Sequence, residues 1–230
     1  MKMFYEEDHM KIFSHNLNAF KICSNRYLSR DVDGFYRENY LGFKNPDNPS
    51  YLNTLKNTFD GEKQYKLDQA RNTVVNILCE DLPKVMKACG MQSCIVVSIP
   101  RAKRLESYSK RQLQLIEAVR QAALRVPGAT DGTAVIRRHT DTKTTHFSSN
   151  VARTLADGTR EYNTGRAPYV GITKDTCSIA KEQIKDRDVI LVDDIYTWNV
   201  NIDEDAIQAL LDNGAKRVVF YAVAKTGGAR

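Results

Sequence analysis

The segment that most restricts the fold is Val189-Ile190-Leu191-Val192, followed at once by Asp193 and Asp194. Four consecutive apolar residues, three of them β-branched, suit a strand buried on both faces. Such strands belong to parallel sheets covered by helices. The chain around this segment alternates in keeping with that. Cys94–Ile99 reads as a short apolar strand ended by Pro100, and Leu113–Leu124 as a helix stopped at Pro127-Gly128. Strands are expected at Thr133–Ile136, Tyr169–Ile172 and Arg217–Val223. Asp203–Leu211 reads as a helix with Ala206, Ile207, Leu210 and Leu211 inward, ended by Asn213-Gly214. The fold class is therefore α/β, a mainly parallel sheet flanked by helices.

The N-terminal part reads differently. Leu67, Ala70, Val74, Ile77, Leu78, Leu82, Val85 and Met86 recur at helical spacing, with Pro83 set to bend that helix or start a new one. Before it, aromatic and polar residues are interspersed, with turns at Asn45–Ser50 and Asp60-Gly61, a pattern compatible with short helices or a hairpin. The division expected is a mostly helical extension or hood over 1–90 and the α/β unit over 91–230.

Composition narrows the function classes. No apolar run approaches bilayer length, so no membrane partner is expected. Met1–Met10 carries Glu6, Glu7 and Asp8 and lacks the apolar stretch of a secretory signal; a cytoplasmic location is expected. Five cysteines, an odd number without a CxxC pair, argue for reduced thiols rather than a zinc site or a disulfide framework. His139 and His146 lack a third ligand at suitable spacing. From Arg101 to Lys143 there are ten Lys or Arg against four Asp or Glu, and 10 − 4 = +6 is the whole net charge. A positive region so concentrated suits an anionic partner, or else forms a solvated basic face.

Ligands of open α/β sheets bind beyond the carboxyl ends of the strands. Asp193 and Asp194 stand at such an end. Carboxylates accept strongly from hydroxyls such as a ribose diol. The turn and helix start that follow offer backbone N–H groups to a phosphate. Asp203, Glu204 and Asp205, in the first helical turn, read as acids that complement the helix dipole.

Val189–Asn201, with four apolar residues, two acids, two variable residues and then Thr197, resembles the ribose-phosphate signature of type I phosphoribosyltransferases. The helix 203–212, Asn213-Gly214-Ala215 and strand 218–223 continue that likeness. The ComF-like branch is the nearest in pattern. There a strand ending Ile-Pro precedes a basic loop, as in Ile99-Pro100-Arg101-Ala102-Lys103-Arg104. A later stretch is rich in Arg and Thr, as in Arg137–His146.

The resemblance implies a division of roles. Asp193 and Asp194 would hold the ribose hydroxyls of phosphoribosyl pyrophosphate (PRPP) or a nucleotide. Thr197, Trp198, Asn199 and Asn201 would cradle the 5′-phosphate. Arg101, Lys103 and Arg104 would face the pyrophosphate. Arg137, Lys143 and His146 would lie on a mobile loop that closes over the site. Mg2+ would arrive with the substrate. The chain departs from the signature at Trp198-Asn199, where the family has Thr-Gly. Asn199 is then the residue expected to take positive φ, and Trp198 either narrows the cradle or swings out to stack on a base.

Three functions follow. The first is pentosyl transfer at a phosphoribosyl N-glycosidic centre. The second is a catalytically silent nucleotide sensor that regulates a protein partner, contacted through the N-terminal region. The third is nucleic-acid binding through 101–143. A homodimer is compatible with each.

Overall fold

The computed structural model describes residues 17–42, 45–57, 60–143, 151–154, 160–162, 175–198 and 200–227. The strand expected at Tyr169–Ile172, the residues Asn199 and His146, and the aromatics Phe4, Tyr5 and Phe13 lie outside them.

The strands are β1 (Asn18–Ile22), β2 (Val32–Tyr40), β3 (Cys94–Ser98), β4 (Ala129–Asp131), β5 (Ile136–Arg138), β6 (Val151–Thr154), β7 (Arg160–Tyr162), β8 (Cys177–Ile179), β9 (Asp188–Tyr196) and β10 (Arg217–Thr226). The helices are α1 (Ser50–Lys56), α2 (Gln64–Ala88), α3 (Gln114–Arg125), α4 (Lys181–Ile184) and α5 (Ile202–Asp212). One six-stranded sheet has the order β1-β2-β10-β9-β3-β4. Its strands from β2 to β4 run parallel, and only β1 is antiparallel, paired with β2. The pairs β5–β8 and β6–β7 stand outside this sheet.

Alternation along the central strands gives the sheet two buried faces. Ile190 and Val192 of β9, with Val219, Tyr221 and Val223 of β10, pack under α1, α2 and α3. Val189 and Leu191, with Val218, Phe220 and Ala222, pack under α4, α5 and the β5–β8 pair. The continuous apolar runs exist because both faces are covered. At about 25 cal/mol per Å2, each side chain so buried contributes about 1.5–3 kcal/mol.

The expected helical hood over 1–90 needs correction. α1 and α2 are helical, but residues 18–40 form β1 and β2, and β2 pairs with β10 from Phe220↔Gly34 to Thr226↔Tyr40. The residues between β2 and β3 then lay α1 and α2 across one face of the same sheet. α2 runs unbroken through Pro83. A strand also forms at Ala129–Asp131 rather than Thr133–Ile136. Gly128 takes φ +81° and turns the chain directly from α3 into the edge strand, with its backbone 2.9 Å from Cys94 N–H. A Cβ there would meet Gln92 O at 2.5 Å.

A buried ionic cluster fastens β2 to its neighbours. Arg37 of β2 donates through Nε to Asp81 Oδ2 at 2.9 Å and through Nη2 to Asp81 Oδ1 at 2.6 Å. Tyr221 Oη of β10 donates to Asp81 Oδ2 at 2.7 Å. Burial and the Asp81 charge push the Tyr221 phenol well above its ordinary range, so it remains a donor. All three side chains are buried. Arg37 Nη2 also pairs with Glu80 Oε2 at 2.9 Å, so removing Asp81 leaves a buried guanidinium with one carboxylate and the Tyr221 phenol without its acceptor, which costs more than losing a surface pair. Asp81→Ala is expected to lower the free energy of unfolding by about 3–5 kcal/mol. The double variant Arg37→Met/Asp81→Leu should recover most of that loss in urea denaturation, since it removes both charges together.

Candidate functional site

The site is set by unequal strand lengths. β3 pairs with β9 only as far as Ser98↔Val192, and the last rung is Ile99 N–H to Val192 O at 3.0 Å. Pro100 has no N–H to continue the ladder and carries the chain away. β9 nevertheless stays paired with β10 to Tyr196↔Lys225. From Asp193 onward it is therefore hydrogen-bonded on one side alone. This is also where the winding reverses, since β3 leads to β4 on one side and β9 to β10 on the other. Crevices at that point are the usual ligand position of open α/β sheets.

Strand alternation puts the two acids on opposite faces of the sheet. Asp194 follows Val192 to the α1 face, where its Oδ2 lies 3.2 Å from Lys56 Nζ. The two side chains are 17% and 22% exposed, so the pair is reachable from solvent. Asp193 turns to the α5 face, beside Asp203. Asp194 N–H donates to Asp193 Oδ1 at 2.8 Å, and Ile195 N–H donates to Asp194 Oδ1 at 2.8 Å.

Burial, followed by the neighbouring Asp194 charge, pushes Asp193 up to about 8. Burial and the Asp193 and Glu204 charges likewise raise Asp203 well above the carboxylate range. For Lys56, burial alone would lower the ammonium, but Asp194 and Asp193 outweigh it and the net shift is upward.

The first turn of α5 corrects an expectation. Asp203 and Glu204 are only 5% and 2% exposed, and Asn201 occupies the N-cap with no side-chain capping bond. Glu204 Oε1 accepts from Tyr196 Oη at 2.9 Å. Asp203 Oδ1 and Glu204 Oε2 are buried without a hydrogen-bond partner. These acids face the strand tip. Helical spacing held the signal: Asp203 precedes Ala206, Ile207 and Leu210 by three, four and seven residues, on the inward stripe.

The turn between β9 and α5 is closed by Val200 N–H to Thr197 O at 3.2 Å. Trp198 on this turn is 63% exposed. A positive φ, 60°, falls at Asn201, whose Oδ1 accepts from Asn25 Nδ2 at 3.1 Å.

The two basic segments lie side by side. Arg138 Nε donates to Arg101 O at 2.6 Å, Thr142 N–H to Ala102 O at 2.8 Å, and Arg104 N–H to Asp141 Oδ1 at 2.9 Å. Arg101 donates through Nη1 to Lys56 O at 2.9 Å and to Gln112 O, with its guanidinium 4.5 Å from the Tyr108 ring centroid. Its charge is thus committed to the carbonyl end of α1, which carries Lys56. Lys103 N–H donates to Tyr108 Oη at 3.0 Å, and burial lowers the Lys103 ammonium against a weaker pull from Asp141. Arg104 is paired with Asp141, and exposed Arg137 with Glu106 at 3.1 Å. Arg137 lies in β5, bonded to β8, and Lys143 is half-buried beyond it. Ser98, Pro100, Arg101, Thr133 and Arg138 line a cavity of about 10 Å3, room for about one water. Lys56, Tyr196, Asp203 and Glu204 join the site without having been read as part of it from the sequence.

No family model and no curated protein matches this chain.

The raised Asp193 sets a pH dependence of stability. An unfolded aspartate loses its proton near pH 3.9 and the folded one near 8, so the folded state holds more protons between them. Stability therefore falls as pH rises through this window. The thermal midpoint is expected to be higher at about pH 5 than at about pH 8, and Lys56→Met should steepen the fall by removing the cation beside the acids. Scanning calorimetry of both proteins across the window checks this.

Proposed function

We propose that the chain binds a phosphorylated ribose, as PRPP or a nucleotide, in the crevice at the ends of β3 and β9, and acts there at a phosphoribosyl N-glycosidic centre. The observation that carries this is the placement of Asp193 and Asp194. They sit one on each face of the sheet, at the rung where β9 loses β3, between a turn leading into α5 and the joined basic segments. The likeness of Val189–Asn201 to the ribose-phosphate signature of type I phosphoribosyltransferases supports the same reading.

Carboxylate oxygens at the strand tip accept from a sugar diol. The 197–201 turn and the first N–H groups of α5 take the 5′-phosphate. Departure of pyrophosphate from ribose C1 leaves an oxocarbenium-like centre, which nearby carboxylates stabilise, while fixed cations stabilise the leaving group. Within the 101–104 segment the Arg101 guanidinium is bonded to carbonyl oxygens and Arg104 is paired with Asp141, so a leaving pyrophosphate would compete for cations already engaged. Among the described residues no three His, Cys, Asp or Glu side chains are gathered to ligate a metal. The partly exposed Asp194 carboxylate suits a hydrated Mg2+ carried by the ligand. When bound, that ion neutralises charge on the leaving pyrophosphate.

One observation favours the sensor reading as an alternative. Trp198, bulky and exposed, stands where the signature has a small residue, and a nucleotide base can stack on it without turnover. No helix among the described residues is long and apolar enough to cross a membrane, and neither reading needs one.

Calorimetry with PRPP and Mg2+, paired with an assay of pyrophosphate release over a panel of nucleobases, separates the two. Asp193→Asn and Asp194→Asn are each expected to cut turnover by at least about 100-fold with the fold intact. Binding without release in the parent protein supports the sensor. Unchanged binding and rates in both variants refute the site itself.

A further inference from the structure

The two basic segments enclose a small space between them. Beyond the end of β3 lies the cavity of about 10 Å3, and three cations line it. Arg101 and Lys103 come from the loop after β3, and Arg138 comes from β5. Ser98 and Thr133 add hydroxyls, and the rest of the wall is aliphatic. No carboxylate lines it. β9, α1 and α5 contribute no residue to the wall, so the cavity stands apart from the acid pair.

The charge of the two arginines is poorly compensated. Arg138 is 7% exposed. Its Nε donates to Arg101 O at 2.6 Å, while its Nη1 is buried with no hydrogen-bond partner. Half-buried Arg101 donates through Nη1 to Lys56 O and Gln112 O. All these acceptors are neutral carbonyls. They satisfy single N–H donors and do not cancel a cation withdrawn from water. Asp141, which pulls on Lys103, is itself engaged by Arg104 N–H at 2.9 Å. The Thr133 hydroxyl donates to Asp131 Oδ1 at 2.7 Å. The wall thus supplies positive charge in apolar surroundings, where ionic attraction is strong. It suits an occupant that is negative and only accepts hydrogen bonds.

Size selects among such occupants. The volume is about that of one water molecule. A single-atom halide fits it, whereas a phosphate, with four oxygens about its centre, does not. We propose that this cavity is a binding site for a small monovalent anion, chloride or a halide of similar size, held by Arg138 with Arg101 and Lys103 beside it. The site does not rest on the ribose-phosphate reading. Bound there, the anion screens guanidinium groups of opposite segments from one another. It reinforces the junction that Arg138 Nε to Arg101 O and Thr142 N–H to Ala102 O already make.

Chloride exchanged for gluconate at constant ionic strength separates binding from general screening. In the parent protein the thermal midpoint should rise by about 3–5 °C and level off once chloride exceeds its dissociation constant about tenfold. Arg138→Met removes the buried guanidinium and should lose that rise. Arg125→Gln removes an equal charge from the exposed end of α3 and should keep it. Crystals of the parent protein grown with sodium bromide give a reading that does not depend on how any variant folds. An anomalous peak beside Arg138 is expected there. A midpoint indifferent to the anion, a rise that persists in Arg138→Met, a rise lost equally in both variants, or bromide at surface positions only each overturns the site.

Discussion

Everything at the site depends on one mismatch of hydrogen-bond ladders. β9 is held on both sides up to Val192 and on one side after it, because Pro100 ends β3 while β10 continues to Thr226. The two-sided stretch is apolar and rigid. The one-sided stretch can place polar side chains beyond the end of β3 without giving up its own backbone partners on the β10 edge. The two acids begin at the first residue past the change. A longer β3 would cover them, and a shorter β10 would leave them on a free strand end.

The N-terminal strands make that arrangement firm. β2 closes the far side of β10, and the Arg37–Asp81–Tyr221 cluster ties it both to α2 and to the sheet. Buried ion pairs contribute little net stability compared with apolar packing, and their usual benefit is to make one register better than its neighbours. A one-residue slip of β2 would turn Arg37 to the opposite face, away from Asp81. The residues from 18 to 88 are thus built into the sheet and one of its covering layers rather than resting over it. α1 illustrates the point, since it packs Leu52 and Leu55 into the core and also delivers Lys56 to Asp194.

Much of the central fold was legible because its signal is local. The run Val189–Val192 and the strands at Cys94 and Arg217 are apolar without interruption, and α3 and α5 carry clear inward stripes. β2 was hidden: Gly34 and the buried Arg37 break its alternation, and each has a partner far away in sequence, the Phe20 ring and Asp81. β4 was hidden because three edge residues, Ala-Thr-Asp, carry no apolar run. At the site, the acid pair and the two basic segments stood out by composition. Lys56 did not, since nothing local distinguishes it from other lysines at a helix end. Asp203 was misread for another reason. Its place in the first helical turn satisfies the dipole argument, while its spacing to Ala206 and Ile207 puts it on the inward stripe.

The exposed Trp198 has a practical side. It is the chain's single tryptophan, and it sits on the turn between the acid pair and α5. All indole emission from this protein therefore originates a few residues from Asp194. With most of its surface in water, the ring emits at the red end of its range and is open to a soluble quencher. The molecule carries a built-in optical reporter on the turn after its acid pair, and no label has to be attached to follow changes there.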